Sequence, residues 1–170
     1  LESDPSQPTI AQAMQTAERL CAARNARLTP LRRAVLEFIW CNPKPISAYG
    51  LLEALQRWQG KPAGPPTVYR ALEFLMAHGL VHRLASLNAF VGCPRPTQPH
   101  PGQFFICTRC GNAIETTEAA MVASIHQRAT EIGFQIQQEV IEIKGLCSQC
   151  RELSTGDQAP SHPGMADPAW

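Results

Sequence analysis

Four cysteines in two short pairs, Cys107-Thr-Arg-Cys110 and Cys147-Ser-Gln-Cys150, hold the densest chemistry in this chain, with 36 residues between Cys110 and Cys147. A CxxC turn places two sulfurs close enough to share a metal. Two such turns complete a tetrahedron of thiolates about 2.3 Å from zinc. With all four positions filled no water can be activated, so a site of this kind is structural. The cysteine total of seven is odd, which argues against a closed disulfide framework. Four of them in CxxC pairs argue for metal in a reducing compartment, and the expected address is the cytoplasm.

The elements that must position these sulfurs follow from hydrophobic spacing and capping residues. Residues 9–24 read as a helix with Ile10, Ala13, Met14, Ala17, Leu20 and Cys21 on one stripe. Thr29 and Pro30 are an N-cap and first-turn proline for a second helix, carried by Leu31, Val35, Phe38 and Ile39 to Asn42-Pro43. Ser47 caps a third, with Leu51, Leu52, Leu55 and Trp58 expected inward. Thr67 is expected to cap a fourth after a Gly/Pro loop, with Val68, Leu72, Leu75 and Met76 on its apolar side. Short alternating stretches at 80–84 and 89–91 then predict a hairpin, and helices followed by a hairpin make a winged helix.

Beyond a Pro-rich connector at 93–102 the pattern becomes strand (103–106), CxxC turn, strand (113–116), helix (118–132), strand (134–143), CxxC turn. The helix stripe Met121, Val122, Ile125, Ala129 and Ile132 is able to pack on those strands. Cys21 and Cys41, on helices, read as packing residues. The predicted organisation is an α+β chain: a winged-helix DNA-binding domain over 1–92, a hinge at 93–102, a small α/β dimerisation and metal-binding domain over 103–153, and a disordered tail over 154–170.

Charge divides along the same boundary. Residues 1–93 hold ten Lys/Arg against six acids, and residues 94–170 hold five against eight. A basic first half fits a polyanionic partner. No run of about 18 apolar residues exists to span a membrane. The start, Leu1-Glu-Ser-Asp-Pro, lacks the basic and apolar segments of a signal peptide.

Taken in order, Leu28-Thr-Pro-Leu-Arg-Arg33, Pro66-Thr-Val-Tyr-Arg-Ala-Leu72 and Gly79-Leu-Val-His82 resemble the winged-helix half of the ferric uptake regulator family. Phe105-Ile-Cys-Thr-Arg-Cys-Gly111 and Gly145-Leu-Cys-Ser-Gln-Cys150 resemble its dimerisation half. Ile46-Ser-Ala-Tyr49, Ala89-Phe-Val-Gly-Cys93 and Val140-Ile-Glu-Ile-Lys-Gly-Leu-Cys147 are most similar to the zinc uptake regulator branch. The resemblance implies a dimeric, metal-dependent repressor with a second, regulatory metal site formed by His82, Cys93, His100 and Glu115, hence two zinc ions per subunit. Two imidazoles, a thiolate and a carboxylate all suit zinc, and the thiolate favours it over Fe(II) or Mn(II). The His-rich stretch that gives iron-type relatives a further site is reduced here to His100, and His78, His126 and His162 receive no role.

DNA contact is expected at the start of the fourth helix, where backbone N–H groups meet phosphates and Tyr69 and Arg70 project towards the duplex. Thr67, Tyr49, Arg32 and Arg33 join them as candidate contacts, with Arg24, Lys61 and Arg83 at the margin. The expected function is zinc-responsive repression of zinc-uptake genes through operator DNA. The alternatives are an iron- or peroxide-sensing regulator of the same family, a zinc hydrolase and a CxxC redox switch. Glu115 in the fourth position disfavours the hydrolase, and metal-held thiolates disfavour the redox switch.

Overall fold

A computed structural model of the chain describes residues 8–98, 100–137 and 139–155. His162 and positions 156–170 of the expected tail lie outside the described residues, as do residues 1–7.

The first half begins with helix α1 (Ile10–Ala23), whose N-cap Thr9 forms a capping box with Gln12. Helix α2 (Pro30–Cys41) starts as the sequence indicates, with the Thr29 side chain accepting from the Arg32 N–H. A two-residue strand β1 (Ile46–Ser47) precedes α3 (Ala48–Gln59), capped by Ser47. Helix α4 (Pro65–Ala77) starts two residues before the expected Thr67. Its N-cap is Gly64, and prolines fill the first two helical positions, where a missing N–H costs nothing and φ is already helical. Strands β2 (Val81–Leu84) and β3 (Ala89–Gly92) form the wing, closed by a 3-10 turn at Ala85–Leu87 and by Asn88 at φ 47°. β1 adds to β3, giving the order β1-β3-β2; two residues are too few to show a period in sequence.

The core of this half joins Met14, Ala17 and Cys21 of α1 to Val35, Leu36 and Ile39 of α2, Leu51 and Leu55 of α3, and Val68, Leu72 and Leu75 of α4. Truncating such a leucine to alanine costs about 2–5 kcal/mol. Trp58 departs from expectation: it sits at the last turn of α3, 53% exposed, edge-on to Phe38. Cys41, at the end of α2, is exposed rather than packed.

The second half is a three-stranded sheet of order β5-β4-β6, with β4 (Gly102–Cys107), β5 (Ala113–Thr116) and β6 (Val140–Gly145). β4 pairs antiparallel with β5 and parallel with β6. The expected strand over 134–143 is shorter and later. Gly133 (φ 68°) ends helix α5 (Ala119–Glu131) in a Schellman turn, with Phe134 N–H on the Ala129 carbonyl at 2.8 Å and Gly133 N–H on Thr130 at 3.1 Å. Val140 is the first residue of β6 with a ladder partner, Gly102. The buried Gln103 side chain accepts from the Glu118 N–H at 3.0 Å and donates to its carbonyl at 3.3 Å, supplying the cap that Glu118 does not make for α5.

The stripe of α5 does not pack on the sheet as expected: only Ala129 is buried, and Ile125 and Ile132 are exposed. The second CxxC is not a turn. Cys147 stands just before helix α6 (Ser148–Thr155), which places Cys150 in its first turn and carries helix two residues into the segment expected to be tail.

The halves meet through Leu84 of the wing, buried against Phe104 and Ile106 of β4, with Val91 and Ala113 beside them.

Candidate metal centres

All four sulfurs of Cys107, Cys110, Cys147 and Cys150 lie within 4.8 Å of one another. The hairpin from β4 to β5 carries the first pair and the entry to α6 the second. Cys110 and Cys147 sulfurs are 3.9 Å apart, close to the edge of about 3.8 Å for a tetrahedron of zinc–thiolate bonds. That spacing is far beyond a disulfide, and all four are free thiols. The Cys147 N–H donates to the Cys107 sulfur at 3.4 Å. Backbone N–H groups at Cys110 and Cys147 hold the Cys107 thiol well below its ordinary value, down to about 6. Burial, reinforced by neighbouring sulfurs, pushes Cys150 up to about 12. Four soft sulfur donors gathered at this spacing, with no disulfide between them, fit a thiophilic divalent cation.

The second quartet is drawn from both halves. His82 comes from β2, Cys93 from the residue after β3, His100 from the connector and Glu115 from β5, and their donor atoms again lie within 4.8 Å of one another. Glu115 Oε1 is 2.7 Å from His100 Nε2 and 3.4 Å from His82 Nε2, and Cys93 Sγ is 3.6 Å from His100 Nε2. His100 Nδ1 donates to the Gln98 carbonyl at 2.8 Å, and a carbonyl only accepts, so in the neutral ring Nε2 presents a lone pair to the carboxylate. Two lone-pair atoms at that distance need a shared proton or cation. His82 Nε2 and Glu115 Oε2 are buried without a hydrogen-bond partner, although a buried polar atom normally has one. Burial, then the Glu115 charge, pushes the Cys93 thiol up to about 12. The donor set, its orphaned atoms and its enclosure fit a divalent cation of zinc type.

At the start of α4, Tyr69 and Arg70 are exposed and Thr67 is half-buried, while Tyr49, in the first turn of α3, is 69% exposed. Main-chain donors are scarcer there than expected, since Pro65 and Pro66 have none and Thr67 N–H is taken by the Gly64 carbonyl at 3.0 Å. Arg33 is shared between Glu18 (3.0 Å) and Glu37 (3.4 Å). Arg32 donates to the Arg27 carbonyl at 2.7 Å and lies 3.6 Å over the Phe74 ring. Arg24 Nη1 donates to the carbonyl of His78 at the end of α4. His78 stacks on Phe74, and His126 pairs with Glu139 at 2.8 Å, a contact their sequence separation of 13 did not reveal.

A winged helix joined to a second sheet, with a quartet of metal-type donors drawn from both, defines a class of two-part proteins with a candidate metal centre at the joint. Residues 23–144 match the family model described as the ferric uptake regulator family. The zinc uptake regulation protein of Escherichia coli (strain K12) is 41% identical over 164 residues, covering 96% of this chain and 91% of that protein. Among solved structures, a zinc uptake regulator complexed with zinc and DNA is similar at a TM-score of 0.83 and 41% identity, over 88% of this chain and 99% of that one. The holo form of XcZur is similar at a TM-score of 0.74 and 44% identity, over 82% and 96%. The chain belongs to the ferric uptake regulator family. That membership, in a family of regulators, sets the hydrolase alternative aside.

Proposed function

We propose that this chain is a zinc-responsive transcriptional repressor that binds operator DNA as a homodimer when zinc-loaded and represses zinc-uptake genes in the cytoplasm. The observation that carries this reading is the position of His82, Cys93, His100 and Glu115, which meet at the joint between wing and second sheet. The identity to a zinc uptake regulation protein and the likeness to a regulator solved with zinc and DNA support the metal and the partner. An iron or peroxide sensor of the same family is less favoured, because the buried thiolate donor of Cys93 prefers zinc.

In this reading residues 1–92 are the DNA-binding domain, 93–102 the hinge and 103–153 the dimerisation and metal-binding domain. Each subunit takes two zinc ions, one structural at Cys107, Cys110, Cys147 and Cys150 and one regulatory at the second quartet. Bound at that quartet, zinc supplies a four-ligand crosslink between the halves. His82 fixes the wing, Glu115 the second sheet, and Cys93 and His100 the two ends of the connector. Tyr69 and Arg70 then face DNA from α4, Arg70 for a guanine edge or phosphate and Tyr69 and Thr67 through their hydroxyls. Tyr49 reaches from α3. Arg32 and Arg33 touch phosphates with the donors their internal partners leave over.

The affinities for zinc and for operator rise together by the same factor. The test is a mobility shift of a zinc-transport promoter at buffered free zinc, with Fe(II) and Mn(II) as controls. Cys93→Ser abolishes the shift and leaves a folded dimer, whereas Cys107→Ser unfolds or monomerises the protein. A normal shift by Cys93→Ser at unchanged zinc sinks the regulatory assignment.

A further inference from the structure

Wing and second sheet are joined by more than the metal-type quartet. Leu84, the last residue of β2, is fully buried between the halves against Phe104 and Ile106. Ala85 and Ser86 follow it and open the 3-10 turn of the wing, where no side chain of the turn itself supplies a cap. The acceptor comes from the other half of the chain. Ala85 N–H donates to Glu142 Oε1 at 2.7 Å, and Ser86 N–H donates to Glu142 Oε2 at 3.0 Å. Glu142 is on β6, in register with Phe104, so the polar contact and the apolar pin at Leu84 are neighbours.

Two carboxylate oxygens gripping two successive N–H groups fix direction as well as distance. Hydrogen bonds to an ionised acceptor are shorter and stronger than neutral ones. None of these atoms belongs to either metal-type quartet. If the wing leaves the sheet, both N–H groups and the carboxylate return to water, so the contact favours the docked arrangement over any other.

We propose that Glu142 is a clasp, separate from the metal ligands, that holds the wing on the second sheet and thereby sets its orientation for operator DNA, a positioning role that rests on the repressor reading above. The clasp raises the docked population at every zinc concentration, and the regulatory quartet adds to a bias already present. Loss of the clasp therefore increases the free zinc needed for operator binding while every zinc donor stays in place.

The test compares the full chain with Glu142→Ala and Glu142→Gln as zinc-loaded dimers. Free zinc at half-maximal operator binding rises about tenfold in Glu142→Ala, and by less in Glu142→Gln, which keeps one acceptor oxygen. In the same proteins, without DNA, the Ala85 and Ser86 amides exchange about tenfold faster in Glu142→Ala, while amides of β4 keep their protection. Unchanged exchange at these two amides, or an unchanged zinc midpoint, overturns the clasp. Loss of the dimer or of the four-cysteine zinc in both variants also overturns it, since Glu142 would then be needed for folding. A parent protein that shifts no operator at any free zinc removes the repressor reading instead, and the exchange comparison still decides whether the clasp exists.

Discussion

Cys93 is the side chain on which ligation at the hinge turns. Burial, then the neighbouring Glu115 charge, pushes its thiol up to about 12, against the opposing pull of Arg95. At neutral pH the metal-free residue therefore carries its proton, and zinc at the proposed regulatory site would take the thiolate, so its binding would release that proton. Below pH 12 each unit of pH raised makes the release easier, and affinity at this site gains about tenfold per unit from Cys93 alone. Calorimetry at pH 7 in buffers of different ionisation enthalpy should show a proton released on filling the regulatory site that Cys93→Ser no longer releases. Heats independent of the buffer would contradict the assignment. The four-cysteine cluster was legible from local spacing, because three-residue separations are visible in any sequence. The other quartet spans 34 positions with no rule of spacing, and only resemblance to a family pointed to it. Its buried atoms without hydrogen-bond partners, which suit a cation, exist only in three dimensions.

At the scale of elements, legibility followed how local the cause was. Thr9, Thr29 and Ser47 cap their helices through side chains three residues from the groups they satisfy; the sequence shows Thr29 and Ser47 as caps, whereas Thr9, expected as the first helical residue, is the cap of a helix that begins at Ile10. The start of α4 differs from expectation because Thr67, a good cap by type, follows two prolines that already fit helical positions. β1 and the true extent of β6 depend on partners far along the chain, as does the packing of Gly92. A Cβ on Gly92 would come within 2.4 Å of the Trp40 ring, because β3 passes directly under the end of α2. The partly buried indole, packed against the helical core, would have to shift to admit a methyl group. Gly92→Ala should therefore cost about 1–3 kcal/mol of stability in denaturant unfolding. It should also weaken zinc binding at the adjoining Cys93. Wild-type stability with a wild-type zinc affinity would show that Trp40 moves aside freely.

For the whole molecule the governing fact is an apolar face that one chain leaves uncovered. β4 turns Phe104 and Ile106 towards the wing and Phe105 the other way, since successive strand residues point to opposite faces. Phe105 is in register with Ile114 on β5 and with Ile143 on β6, so three exposed apolar residues form a row across the sheet. Helix α5, with Ile125 and Ile132 exposed, does not cover them. An apolar sheet row and an apolar helix stripe that do not meet within one chain are complementary between two, which is how a homodimer would bury both. In the proposed reading a two-fold pairing would also present two α4 helices to DNA, one operator half-site per subunit, with half-sites one helical turn of about 34 Å apart. Phe105→Glu places a charge in the middle of that row. Because Phe105 is already 46% exposed in the single chain, the change costs the fold little and the interface much. The variant should sediment as a monomer that still holds zinc at its four cysteines, and it should lose operator affinity by far more than half, because the second half-site no longer binds intramolecularly. A variant that stays dimeric at micromolar concentration would place the interface elsewhere. One that loses its structural zinc would show that Phe105 supports the cysteine cluster rather than the pairing of subunits.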